Sequence, residues 1–294
     1  MKNIACFGEV LWDTFPDHKK IGGAPLNVAI RLKSLGHTIS IISRIGQDLD
    51  GNEIYDFVKE KDININGIQV DDTLKTGIVN VVLNESGSAS YDIPSPRAWD
   101  NIQVSPISRS ITKSADAFIF GSLITRNNAS KETLYVLLKL AKYKIFDVNL
   151  RAPYYAKDIL VALMNKADFI KFNDDELFEI SAMLGQESGP LEEIIQFIAG
   201  QTNTKTICVT KGKHGAVLFV NGKFYFNSGY YVTVVDTVGA GDTFLASLIS
   251  KLLNEETPQK SINYACALGA LVASKSGANP SISNHEIEQM MYSG

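Results

Sequence analysis

The stretch Val234-Val235-Asp236-Thr237-Val238-Gly239-Ala240-Gly241-Asp242-Thr243-Phe244-Leu245-Ala246 holds the residues with the clearest chemical use. Two glycines around an alanine let the backbone turn tightly and approach a ligand closely. A helical pattern follows at once, so the amides of Gly239, Ala240 and Gly241 face a helix mouth. Unpaired N–H groups and the positive end of the dipole attract an anion there. Asp242 beside them is a carboxylate able to take a proton. Donors for a migrating phosphoryl group next to a base for its acceptor are what phosphoryl transfer to an alcohol requires. Asp is also a common helix N-cap, and the turn alone leaves both uses of Asp242 open. A Walker loop is excluded, because Gly241 is followed by Asp rather than by Lys and a hydroxyl residue. A dinucleotide fingerprint fails as well, since Thr243 and Phe244 stand where its third glycine would open the helix.

Other polar residues carry weaker signals. Gly22 and Gly23 precede a helix start that bears Asn27, which suits either close approach and hydroxyl recognition or a plain turn with a helix-start Asn. Asn149 and Arg151 follow an apolar run at a strand's C-terminal end, where α/β sheets gather their sites. Arg151 fits a sugar or phosphate contact and equally a surface ion pair. Arg97 is open in the same way, and facing a pocket it would suit a carboxylate. Asn173-Asp174-Asp175-Glu176 reads as a helix N-cap followed by acids that favour the dipole. Thr210-Lys211-Gly212-Lys213-His214-Gly215 offers a hydroxyl, an amide and charge to phosphate, in what is also a tight β-turn.

The elements that must position these residues alternate. Ile4–Phe7, Ile39–Ile42, Ala117–Phe120, Ile145–Val148, Phe169–Phe172, Ile207–Val209 and Ala216–Val220 read as strands, most of them apolar enough to be buried on both faces. Helical patterns lie between them at Leu26–Leu35, closed by Gly36, and at Glu53–Glu60, Lys131–Lys142, Leu191–Ala199, Phe244–Leu253 and Ile262–Ser274. Such alternation predicts a mostly parallel sheet covered by helices. Thr76–Leu83 and Ala89–Ile93, joined by the turn Asn84–Ser88, break the rhythm as a hairpin. With Val10–Phe15 they predict a small antiparallel layer over the main sheet, although an ordinary edge hairpin is as good a reading of the hairpin itself. The expected organisation is one folding unit over 1–294, with a β lid from about 10–21 and 73–94.

The 294 residues are 45% hydrophobic and 20% charged, with a net charge of −4, which argues against a nucleic-acid surface. Cys6, Cys208 and Cys266 are odd in number and widely separated, so neither a disulfide framework nor a metal knuckle is expected. The N-terminus is interrupted too early for a signal sequence, and no apolar run reaches membrane-helix length. The expectation is a cytoplasmic protein.

Asp236 to Asp242 resembles the C-terminal signature of the PfkB (ribokinase) family of carbohydrate kinases. Gly22-Gly23-Ala24-Pro25-Leu26-Asn27-Val28-Ala29, Leu35-Gly36, Ile45-Gly46-Gln47-Asp48 and Gly51 resemble the N-terminal one, in the right order and separation. Ser247 departs from the family's preference for Ala or Gly. The resemblance implies a ribokinase-like three-layer α/β sandwich with a mostly parallel central sheet and a small β lid. It implies Asp242 as base, Gly239, Ala240 and Gly241 as anion hole, and Asp13, Gly22, Gly23 and Asn27 as sugar contacts. Asn173 and Glu176 match the motif that organises Mg²⁺ and its waters. Thr210, Gly212 and Gly215 match the nucleotide loop, and Asn279 lies in the adenine-side loop. Asp236, with backbone carbonyls, matches a K⁺ site. The runs Gly8–Pro16, Phe120–Leu123 and Phe146–Arg151 look most like bacterial fructokinase sequence.

The expected activity is therefore ATP-dependent phosphorylation of a sugar primary hydroxyl, with fructose to fructose 6-phosphate foremost, and a homodimer by analogy. Ketodeoxygluconate, ribose and nucleosides are alternative substrates within the class. A non-catalytic sugar sensor is the rival outside it, although a sensor has no need of Asp242. A plain nucleotide-binding module leaves Asp13, Asn27 and the hairpin without a use.

Overall fold

The structure, a computed structural model, describes residues 1–83 and 89–292. Buried apolar runs form the spine of the molecule. Its described strands include β1 (Asn3–Phe7), β2 (Leu11–Thr14), β3 (Lys19–Gly22), β4 (Thr38–Gly46), β5 (Ile68–Asp71), β6 (Gly77–Leu83) and β7 (Ala89–Asp92). They continue with β8 (Ala117–Gly121), β9 (Lys144–Asp147), β10 (Phe169–Asn173), β11 (Thr206–Thr210), β12 (Ala216–Val220) and β13 (Lys223–Asn227). Among the described residues, nine of these make one sheet in the order β13-β12-β11-β10-β9-β8-β1-β4-β5. Every pairing from β11 to β5 is parallel, and only β12 and β13 are antiparallel.

Side chains alternate across each strand, so each strand feeds two cores. Ala5, Phe7, Phe118, Phe120, Ile170 and Phe172 face one layer, built from α4 (Asn128–Leu138), α5 (Lys157–Met164), α6 (Asp174–Leu184) and α7 (Leu191–Thr202). Ile4, Cys6, Ala117, Ile119, Phe169 and Cys208 face the other, built from α1 (Ala24–Ser34), α2 (Leu49–Glu60), α8 (Ala240–Leu253) and α9 (Pro258–Ala273). The result is the expected three-layer sandwich. The sequence reading missed β3, β5, β13, α5 and the short helices Pro106–Ser114 and Asn284–Tyr292. These are short or half-polar segments whose periodicity is weak.

A second sheet, ordered β3-β2-β6-β7, stands off the first. It is mixed rather than antiparallel: β2 pairs with β6 in parallel, because the two strands enter from the same side of the main sheet. The expected turn Asn84–Ser88 lies outside the described residues. The root of this small sheet is fixed by the N-terminal signature. Asp48 caps α2 through the Gly51 amide at 2.9 Å and accepts the Thr76 hydroxyl at 2.5 Å. A side chain at Gly46 would meet the Thr76 amide at 2.6 Å, so glycine permits the close crossing. Trp99 packs against Gly77 at the start of β6, and Arg126 stacks over that indole at 3.8 Å while gripping Asp100 through two 2.7 Å bonds. On the outer side, Lys19 joins β3 to Asp50 and Glu53 of α2, each at 2.8 Å.

Candidate active site

The C-terminal ends of β1, β9, β10 and β11 open into a cleft of about 560 Å³ that the small sheet roofs. Asp242 lies at its floor. Helix α8 begins at Ala240 with Gly239 as N-cap, so Asp242 is the third helical residue and not the cap. Its carboxylate accepts from Asn27 Nδ2 at 2.9 Å. Burial pushes the Asp242 carboxyl up to about 6; Asp147 adds to the rise, while Asn27, Lys171 and Arg151 oppose it. A carboxylate of that basicity is ionised near neutrality and still a useful proton acceptor.

The glycine turn is shaped by its surroundings. Gly239 has φ +73°, and a Cβ there would meet Ala278 Cβ at 2.5 Å, so the turn is pressed against the 276–281 loop. The Ala240 amide donates to the Thr237 carbonyl at 3.2 Å. Of the three expected anion donors, Ala240 is thus already engaged, whereas first-turn amides such as that of Gly241 have no carbonyl acceptor within their helix.

Around Asp242 the floor is dense with charge. Asp147 and Lys171 face each other in register on β9 and β10 and pair at 2.8 Å, both buried. Burial works against the Lys171 ammonium, but Asp147 and Glu176 outweigh it and hold its pKa above the ordinary value. Glu176 forms a capping box with Asn173: Oε2 accepts from the Asn173 amide at 2.8 Å, and Asn173 Oδ1 accepts from the Glu176 amide at 2.7 Å. Its other oxygen accepts from the Leu150 amide at 2.9 Å. The N-cap reading and the place in the cleft therefore coexist. Burial raises the Glu176 pKa, with Lys171 opposing. Glu9, just after β1, is 4% exposed, and among the described residues its Oε2 has no hydrogen-bond partner. Burial lifts its carboxyl to about 7.

The roof contributes Asp13, Phe15, Val79 and Ile93. Burial lifts Asp13 to about 6 against the pull of Arg151 and Lys20. A Cβ at Gly22 would stand 2.2 Å from Asp13 Oδ2, so a side chain there would displace the Asp13 carboxylate. Gly23 and Asn149 also line the cleft, and Asn149 takes a positive φ of 40°. Arg151 lines it as well, with its guanidinium bonded to the Leu150 carbonyl at 2.8 Å. Arg97 does not line the cleft; its backbone amide donates to Asp100 at 2.7 Å.

A second pocket of about 570 Å³ adjoins the first, sharing Thr210, Thr237 and Gly241 with it. Gly212 and Gly215 line its polar end, and Tyr230, Phe244, Cys266 and Ala270 give it apolar walls. Asn279 is not there. Its Nδ2 donates to Asn27 Oδ1 at 3.3 Å, making a chain Asn279–Asn27–Asp242 behind the base. The 276–281 loop folds back toward α1, held by Arg31 Nη2 on the Pro280 carbonyl at 3.1 Å. Asp236 ties the same loop down, accepting from the Val238 and Gly277 amides, each at 3.0 Å.

The family model for pfkB family carbohydrate kinases matches residues 2–285. The chain belongs to that family. It is 26% identical to probable fructokinase-7 of Arabidopsis thaliana, over 99% of this chain and 92% of the relative. An uncharacterized sugar kinase from Pyrococcus horikoshii in complex with ATP is 28% identical, with a TM-score of 0.83 over 94% of this chain and 93% of the other. A double mutant of fructokinase from Vibrio cholerae, with fructose, ADP and potassium bound, superimposes with a TM-score of 0.85 at 22% identity, over 99% and 98%. The fold is ribokinase-like, and the small sheet is its lid.

Within this PfkB kinase, the sequence reading had overlooked Glu9, Asp147 and Lys171 as site residues. The signal was present: Lys171 interrupts the run Phe169-Ile170-Lys171-Phe172, and a charge inside a strand buried on both faces calls for a partner.

Proposed function

We propose that this kinase phosphorylates the primary hydroxyl of a sugar with ATP, fructose to fructose 6-phosphate foremost. The carrying observation is Asp242, half-buried where two pockets meet at Gly241. In this reading ATP occupies the glycine-lined pocket with its phosphates toward Gly241, and the sugar fills the cleft under the lid. Asp242 takes the hydroxyl proton as the oxygen attacks the γ-phosphorus, while the amides of Gly239 and Gly241 receive the developing charge. Asn27 orients the base, and Asp13 accepts from the sugar hydroxyls. Closure of the lid, about 10–21 and 73–94, excludes water from the transfer.

The oxygen donors fit Mg²⁺ held through its waters, because both oxygens of Glu176 already accept backbone amides. When bound, the metal neutralises charge on the β- and γ-phosphates. Asp236 likewise spends both oxygens on amides, so K⁺ beside it would be held mainly by backbone carbonyls. The three cysteines are buried and free, which fits a reducing cytoplasm. Among the described residues no helix is long and apolar enough to cross a membrane. β3 and β7, the outer strands of the lid, would pair with a second copy in a homodimer.

The test is a substrate panel with ADP-coupled detection. Fructose should give the highest kcat/KM. Preference for ribose, a nucleoside or ketodeoxygluconate overturns the substrate, and sugar binding without ADP release overturns the kinase in favour of a sensor.

A further inference from the structure

The Asp147–Lys171 pair is expensive to bury, since the desolvation of two charges commonly cancels their attraction. A purely structural core at this position would be served as well by apolar side chains. Yet the pair lies where β9 and β10 end in the cleft, under the first turn of α8. Lys171 has three donors, and among the described residues its one hydrogen bond goes to Asp147 Oδ1. A Cβ built on Gly241 would stand 3.9 Å from Lys171 Nζ, so the ammonium faces the bare backbone of the anion-binding turn.

The charge balance sharpens the point. Asp147, Glu176, Glu9 and Asp242 all line the cleft floor. A γ-phosphate arriving at Gly241 meets these carboxyl groups in a low-dielectric site, where repulsion is strongest. Among the described residues lining the cleft, the cations are Lys171 and Arg151, and of these only Lys171 is buried.

We propose that Lys171 is a catalytic cation that contacts the phosphoryl group during transfer, with Asp147 as the positioning residue that holds its ammonium beneath Gly241. The inference rests on the kinase reading of the cleft but not on which sugar is used. Lys171 contributes a fixed donor aimed at the charge that develops on the migrating group, and Asp147 prevents its long side chain from swinging toward Asp242.

The test replaces both partners, Asp147→Asn with Lys171→Met, so that neither member of the pair is left as an unpaired charge. Circular dichroism and melting check that the variant folds. On the sugar that the wild type turns over best, kcat should fall by about 10²- to 10³-fold, the size seen on removing one preorganised donor, with the sugar KM little changed. Calorimetry supplies a sugar-independent reading. The wild type's preference for a non-hydrolysable ATP analogue over ADP should shrink by about tenfold, as expected on losing one charge-assisted bond to the γ-phosphate. A folded double variant with kcat within about threefold of wild type would overturn the proposal, since removal of a preorganised donor has to cost far more than that. If no sugar is turned over by the wild type, the proposed function fails. The calorimetric preference then decides alone, its loss supporting the role of Lys171 and its retention rejecting it.

Discussion

Along the floor of the cleft, Glu9, Asp147, Lys171, Glu176 and Asp242 come from strand ends and from the first turns of α6 and α8. All of them are tied to the rigid sheet. The roof is different. Leu11, Phe15, Val79 and Ile93 present apolar surface, and Asp13 is the one carboxylate that the lid strands turn toward the cleft among the described residues. Charge is concentrated on the main sheet and the helix starts beside it, where preorganised dipoles cost nothing to reorient. In the proposed mechanism the roof supplies shape and water exclusion, from a sheet rooted at Trp99 and Asp48.

Mutations on the two sides should therefore separate in kind. Asp242→Asn, on the floor, should cut kcat by about 10²- to 10⁴-fold with the fold intact, measured by ADP release at saturating sugar and ATP. Asp13→Asn, on the roof, should raise the sugar KM by about 10- to 100-fold and leave kcat much less affected. If Asp13→Asn instead acted on kcat as strongly as Asp242→Asn, the division of labour would break down.

The smallest effects are shifts along the pH axis, and they have opposite signs. The wild-type kcat/KM should show an acid limb near pH 6, where Asp242 ionises. Asp147→Asn removes a charge that raises this pKa and should move the limb to lower pH. Asn27→Ala removes a bond that lowers it and should move the limb higher. Stability should run against activity. Asp242, Asp13 and Glu9 have folded-state pKa values raised from 3.8, 3.8 and 4.5 to about 6, 6 and 7. The stability they confer is present below their unfolded values and is lost as pH rises through about 6 to 7. Melting temperature should thus decline across the interval in which activity climbs, and a rise of both together would contradict the raised pKa values of these groups.

Much of this was legible beforehand. The strand at Ala216–Val220 was read to the residue because a buried strand writes an unbroken apolar run. Asp242 could be placed at a helix mouth because the glycines before it mark a tight turn, while Asn27 and Asp13 were pointed to only by the family resemblance; all three line the cleft. β3 was not, since Lys19-Lys20-Ile21-Gly22 has no apolar run and exists only because β2 and α2 support it. The path of the 276–281 loop was hidden for a related reason, since it is set by Arg31 and Asp236, more than 40 residues away or on another element. The parallel pairing of β2 with β6 depends on the crossover between them, which local pattern does not encode.

The central claim is best tested by crystallography of a complex with sugar and a non-hydrolysable ATP analogue. The account predicts an Asp242 carboxylate oxygen within about 2.6–3.2 Å of the sugar's primary hydroxyl, with the γ-phosphate over the Gly241 amide. An Asp242 side chain that faces neither sugar nor phosphate, with both ligands bound, would contradict it.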